Sequence, residues 1–172
     1  MSPFIFQIVG YHNSGKTTLM NKLLSCLKVE GIKTVTIKHH GHGGKPAVVE
    51  ETDSALHISA GAVASLVEGE GRLILQSEQM YWSLEGKLQL VSIIHPDLIL
   101  IEGHKYADYP KLVFIRKEED LQLLKELSNI EMVLFQEHLE VLDPYPAFHR
   151  DDLEAVQWLM DYLKRRIKNE KA

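Results

Sequence analysis

Cysteine is almost absent: one residue, Cys26, in a chain of 172. A lone thiol excludes an internal disulfide framework and any Cys-based metal site. Cys26 falls among Leu23, Leu24 and Leu27, where it reads as packing. A cationic excess is missing too. Against 24 acidic residues stand 19 Lys and Arg, giving a formal charge of -5 and a pI of about 6.0, so no global basic field draws nucleic acid or anionic lipid. The basic cluster Lys164, Arg165, Arg166 and Lys168 falls in the last turns of a helix, where cations complement the dipole, and reads as a solvated face. No apolar run approaches the roughly 20 residues that cross a bilayer. The first apolar run lacks a charged leader and feeds directly into a motif, so it is not read as a cleaved signal. These absences predict a cytoplasmic protein with no membrane and no nucleic-acid partner.

What is present suits one folded domain over residues 1–172: 45% of the chain is hydrophobic, enough for one sizeable core, with no repeat, low-complexity tract or long linker. Phe4 to Val9 reads as a strand, Lys16 to about Val29 as a helix, and Lys33 to Lys38 as a β-branched strand after the break at Gly31. Gly41 to Pro46 is a glycine-rich loop, and Thr52 or Asp53 caps a short helix ending near Gly61. Ala62 to Glu68 and Arg72 to Gln76 read as two strands joined through Glu68 to Gly71; the stretch with Trp82 and Leu84 to Ile94 has no clear assignment. Leu98 to Ile101, Leu112 to Ile115 and Met132 to Phe135 are continuous apolar runs of the kind buried on both faces of a parallel sheet. Glu118 to Leu127 and Asp151 to Ile167 have helical spacing. The alternation predicts an α/β fold, an open, mainly parallel sheet flanked by helices, with a β-rich middle segment.

The chemistry starts at Gly-Tyr-His-Asn-Ser-Gly-Lys-Thr, residues 10–17, which fits G-x-x-x-x-G-K-S/T between a strand and an amphipathic helix. That is the setting of a phosphate-binding P-loop. Gly10 and Gly15 allow the backbone to turn its N–H groups inward around a phosphate. His12, Asn13, Ser14 and Thr18 complete the cradle, Lys16 brings a point charge to the terminal phosphates, and the Thr17 hydroxyl suits Mg²⁺. In an open parallel sheet ligands lie beyond the carboxyl ends of the strands. Asp97 and Glu102 bracket one strand and stand roughly 16 Å apart at about 3.3 Å per residue, so only one reaches the phosphates. Glu102 is at the correct end, as a Mg²⁺ ligand through water or as the group positioning the attacking water, and Asp97 reads as an exposed residue at the strand entry. His39, His40, His42 and Asp53 form a further constellation. It is open to three readings: Zn or Ni ligation, contact with an anionic substrate, or polar loop side chains. Asp53 faces Mg²⁺ or caps a helix.

With these residues together, the chain resembles the MobB family, the molybdopterin-guanine dinucleotide biosynthesis protein B group of P-loop proteins. The resemblance runs through Gly10 to Leu19, the strand ending Ile37-Lys38-His39-His40, Thr52-Asp53 with Ala60-Gly61-Ala62, Leu98 to Lys105, and Pro110 to Arg116. It implies a GTP-binding accessory protein with weak GTPase activity, usually a homodimer, that assists a separate nucleotidyltransferase attaching GMP to molybdopterin. On that resemblance Lys16, Thr17, Asp53 and Glu102 serve the nucleotide and Mg²⁺, with Lys16 and Glu102 as the catalytic pair. His39, His40, Lys105, Lys111 and Arg116 become candidates for anion or molybdopterin contacts.

The Asn-Lys-x-Asp signature that reads guanine in many GTPases is absent, because the run ending at Phe135 continues Gln136-Glu137-His138. Glu137 and Asp143 are candidate carboxylates for the guanine N1 and N2 donors, and Pro144-Tyr145-Pro146 restricts the neighbouring loop. Two rival classes share parts of the pattern. A nickel-handling GTPase metallochaperone has a comparable His-rich segment, and a small-molecule kinase or ATP-dependent ligase resembling dethiobiotin synthetase shares the Glu-Gly strand end.

Overall fold

The computed structural model describes residues 2–39, 45–137, 139 and 144–171. In chain order its elements are β1 (Phe4–Val9), α1 (Lys16–Val29), β2 (Thr34–Lys38), α2 (Asp53–Ser59), β3 (Ala64–Gly69), β4 (Arg72–Ser77) and α3 (Leu84–Ser92). There follow β5 (Leu98–Glu102), β6 (Lys111–Ile115), a 3-10 turn (Glu118–Leu121), α4 (Gln122–Glu126), β7 (Ile130–Phe135), β8 (Ala147–His149) and α5 (Leu153–Lys171). They fall into two compact units, Met1–His39 with Leu88–Ala172, and His40–Lys87.

In the first unit six strands form one sheet in the order β2-β5-β1-β6-β7-β8, every pair parallel. Parallel strands need covered faces, and period-two alternation supplies them. Phe4, Phe6 and Ile8 of β1, Leu98 and Leu100 of β5, Leu112 and Phe114 of β6, and Met132 and Leu134 of β7 pack with Leu19, Leu23 and Leu27 of α1 and Leu159, Leu163 and Ile167 of α5. The intervening Val9, Val113, Ile115 and Val133 pack instead with Leu123 and Leu127. The expected α/β sheet is therefore observed.

Strand direction separates the two acids of β5. Ile8 pairs with Glu102 and Phe4 with Leu98, so Glu102 shares the carboxyl end of β1. Asp97 lies at the opposite edge and is not merely exposed: its Oδ2 accepts from the Lys33 backbone N–H at 2.8 Å, and its Oδ1 is 2.6 Å from Lys171 Nζ. It ties the entries of β2 and β5 to the end of α5. The basic cluster on α5 is also partly engaged, since Arg166 lies 4.8 Å from the Phe4 ring centroid and donates to the Tyr162 hydroxyl at 3.0 Å.

The second unit contains α2 and the antiparallel pair β3 and β4. Thr52, not Asp53, caps α2, with its hydroxyl accepting from the Ala55 N–H at 3.3 Å. Asp53 is the first residue of the helix, where a carboxylate complements the dipole. Glu70 and Gly71 both take positive φ, 49° and 78°, as a tight hairpin turn requires. Most of the unassigned Leu84 to Ile94 stretch is helical as α3, which ends at Ser92, and β8 is a strand that the sequence pattern did not indicate.

Candidate functional site

The loop after β1 has the backbone that its glycines permit. Gly10 has φ of 151°, and a Cβ there would lie 2.8 Å from the Phe114 Cβ, so strand β6 passes too close for any side chain. Asn13 (φ 57°) and Gly15 (φ 97°) are left-handed, and no side chain caps the start of α1. Its leading N–H groups are thus left for an anion, with the helix dipole in support. Lys16 Nζ folds over the loop and donates to Gly10 O at 3.1 Å, Tyr11 O at 2.7 Å and Ser14 Oγ at 3.3 Å. Burial pushes its pKa down, and the Lys38 and Arg116 charges add to this against the opposing attraction of Glu102. An anion bound at the loop would relieve that tension by supplying negative charge where cations crowd.

Glu102 stands beside this loop. Thr17 Oγ1 donates to it, 3.3 Å from Oε1 and 3.5 Å from Oε2, and Lys38 Nζ is 3.3 Å from Oε1 and 3.4 Å from Thr17 Oγ1. Lys38 reaches them because it is the β2 residue in register with Glu102. The sequence placed it in the strand end Ile37-Lys38-His39-His40 that carries the family resemblance but gave it no role at the site. A hydroxyl and a carboxylate side by side are hard oxygen donors of the number that Mg²⁺ takes from a protein while keeping water and binding phosphates. The donor set fits that ion.

Two buried polar side chains support the loop that follows β5. Gln7 Nε2 donates to Gly103 O at 3.2 Å and His104 O at 2.8 Å. Lys111, its register partner on β6, is fully buried and donates to Ala107 O at 3.0 Å and Ser128 O at 2.6 Å. The Lys111 ammonium is therefore buried and engaged with backbone carbonyls, in place of the expected anion contact. On the supported loop, Lys105 Nζ lies over the rings of Tyr11 at 4.9 Å and Tyr106 at 5.0 Å, and the His39 and His104 rings stand 4.7 Å apart. Arg116 Nη1 donates to His12 O at 2.9 Å, while its Nε and Nη2 grip both oxygens of buried Asp120 at 2.8 and 3.0 Å. Arg116 thus fastens the phosphate loop to the end of β6.

Comparison with known proteins agrees with this geometry. The family model for molybdopterin guanine dinucleotide synthesis protein B, MobB, matches residues 5–136. The chain belongs to the MobB family. Membership places it in molybdenum cofactor biosynthesis. It is 38% identical over 165 residues to a probable molybdopterin-guanine dinucleotide biosynthesis adapter protein of Bacillus subtilis, covering 94% of this chain and 95% of that one. An adapter protein of the same description from Haemophilus influenzae is 33% identical over 72% of this chain and 67% of its own length. Among solved structures, a MobB homolog from Bacillus stearothermophilus superposes with a TM-score of 0.78 at 38% identity, covering 94% of this chain and 98% of that one.

Seen as a MobB-family site, the described residues gather Lys16, Thr17, Lys38, Glu102 and Arg116 at one end of the first unit's sheet. His39 and Lys105 lie on the adjoining loops. Asp53 belongs to the second unit. His40, His42, His138 and Asp143 lie outside the described residues, and Glu137 is exposed just after β7. No three His, Cys, Asp or Glu side chains among the described residues converge to hold a metal ion, and no described helix is long and apolar enough to cross a membrane. A residue that sequence reasoning missed is Arg150. Its Nη2 lies 3.2 Å from where a Gly15 Cβ would be, and its Nη1 donates to Gln136 Oε1 at 2.8 Å.

Proposed function

We propose that this MobB-family protein is a cytoplasmic GTP-binding accessory protein that assists a nucleotidyltransferase in attaching GMP to molybdopterin, and that it hydrolyses GTP slowly. The observation that carries this reading is the convergence of Lys16, Thr17 and Glu102 at the phosphate loop. The loop amides and Lys16 would hold the β- and γ-phosphates, and Thr17 and Glu102 would hold Mg²⁺ directly or through water. Bound Mg²⁺ would offset charge on the phosphate oxygens. Glu102 would also orient the attacking water, a role supported by the restraint that Lys38 puts on its carboxylate.

The Tyr11, Lys105 and His39 group is the molybdopterin-facing candidate, since aromatic rings and cations beside one another suit a flat heterocycle bearing a phosphate. We also propose a homodimer. An isolated two-stranded hairpin is marginal in water, yet β3 and β4 expose Leu66, Val67, Leu73, Ile74 and Leu75 from both faces.

The test is a coupled assay. Purified protein with GTP and Mg²⁺ should raise the yield of guanylylated pterin made by the partner transferase, and Lys16→Ala should not. Stoichiometric Ni²⁺ binding with no effect on the transferase would move the assignment to a metallochaperone. Light scattering on the purified chain reads the oligomeric state.

A further inference from the structure

We infer that Gln136, held by Arg150, reads the O6 edge of guanine and so sets the base preference of the nucleotide site. The inference rests on the GTP-binding reading above and assigns the residue that this reading leaves open.

Gln136 immediately follows β7 and Arg150 immediately follows β8, at the carboxyl ends of adjacent parallel strands. In such sheets ligands lie beyond those ends. One guanidinium bridges the phosphate loop and the Gln136 side chain, with Nη2 3.2 Å from the Gly15 Cβ position and Nη1 2.8 Å from Gln136 Oε1. The pair therefore flanks the loop at Gly15, where a nucleoside whose phosphates occupy that loop would have it in reach. Both backbone groups of Gln136 are engaged as well. Its N–H donates to Ile115 O at 2.9 Å, and its O is 3.0 Å from His149 Nε2. Arg150 is anchored in turn by its own N–H to Phe135 O at 2.8 Å, with the Asp151 carboxylate 3.8 Å from Nε.

The discrimination follows from donor and acceptor inventory. Guanidinium has donors only, so the amide must turn its oxygen to Arg150, and this fixes which face is left over. Nε2, a donor with no partner among the described residues, is the face offered to a base. Guanine presents an acceptor, O6, at that edge. Adenine presents an amino group there, which would set donor against donor and leave both unsatisfied. Free rotation of a lone glutamine would erase this preference by exchanging oxygen for nitrogen; Arg150 prevents the exchange. Gln136 is exposed, so its substitution leaves the core intact.

The experiment is calorimetric titration of the full chain with GTP, ITP and ATP in Mg²⁺. ITP keeps O6 and lacks the 2-amino group, so it isolates the O6 contact. The expected result is GTP and ITP binding alike and about tenfold or more tighter than ATP. Gln136→Ala should bring all three within about threefold of one another, and Gln136→Glu, which offers only acceptors, should turn the preference toward ATP. Circular dichroism checks that the variants are folded. ITP binding as weakly as ATP, or a GTP preference that survives Gln136→Ala, overturns the assignment while leaving GTP binding standing. Failure of every triphosphate to bind overturns the parent reading, and this one with it.

Discussion

Replacing Asp120 by Ala should loosen the phosphate loop from a distance and lower stability at the same time. The carboxylate is 3% exposed and accepts from Arg116 three times: from Nε at 2.8 Å, from Nη2 at 3.0 Å and from the backbone N–H at 3.0 Å. Removing one member of a fully buried pair costs about 3–5 kcal/mol. Arg116 is 29% exposed, so water recovers part of the loss. We expect about 2–3 kcal/mol, seen as a lower urea midpoint with an unchanged slope and a fall of about 5–10 °C in Tm. The freed guanidinium no longer fixes His12 O, so GTP affinity falls as well. Acid behaviour supplies an independent check. Burial pushes the Asp120 carboxyl up, but the hydrogen bonds and charge of Arg116 outweigh it, and the net shift is downward. A depressed folded pKa means the stabilisation is complete above the unfolded value near 3.9 and is lost as pH falls through the folded one. The difference in stability between wild type and Asp120→Ala should therefore shrink below about pH 4. A variant with the wild-type midpoint, or a gap that persists unchanged into acid, refutes the clamp.

Lys16→Ala should cost about 1.5–3 kcal/mol of triphosphate affinity, or roughly tenfold to a hundredfold by calorimetry, without unfolding the chain. Burial holds the Lys16 pKa below the usual lysine value, so the affinity of inorganic triphosphate for the wild type should fall as pH rises into the lysine range, and the fall should be absent in Lys16→Ala. Glu102→Gln should reduce Mg²⁺-dependent GTP hydrolysis while leaving stability near wild type. Asp97→Asn should do the reverse, losing about 1 kcal/mol of stability with its Lys171 pairing and keeping hydrolysis. Gly10→Ala should lower stability by about 1–3 kcal/mol in a urea melt, because the new methyl meets Phe114.

The parts of this molecule that could be read from residue order are those whose cause is local. Leu98 to Glu102 announces a strand buried on both faces because four apolar residues in a row have no other comfortable place, and a polar residue must follow where the strand leaves the sheet. Gly10 and Gly15 announce the loop because only glycine accepts φ of 151° and 97° at no steric cost. What escaped depends on partners far along the chain. Lysine normally reads as solvated, so nothing near Lys111 reveals two carbonyls waiting at Ala107 and Ser128. Asp97 reads as an ordinary strand-entry acid until Lys171 arrives from the end of α5. Helix α3 had a start signal in Ser83, whose Oγ accepts from the Gly86 N–H at 2.9 Å, before Leu84 and Leu88. Strand β8 has three residues, too few for any periodicity to register, and it is held by pairing with β7. Yet that short edge strand delivers Arg150 to Gly15, so one flank of the phosphate loop is built from the least legible element in the chain. Gln7 is the converse case. A polar residue in the middle of the apolar run Phe4 to Val9 was visible from the start, and its only physical justification in a central strand was a buried partner. The carbonyls of Gly103 and His104 are those partners, and through them β1 controls both the phosphate loop at its end and the loop after β5 beside it.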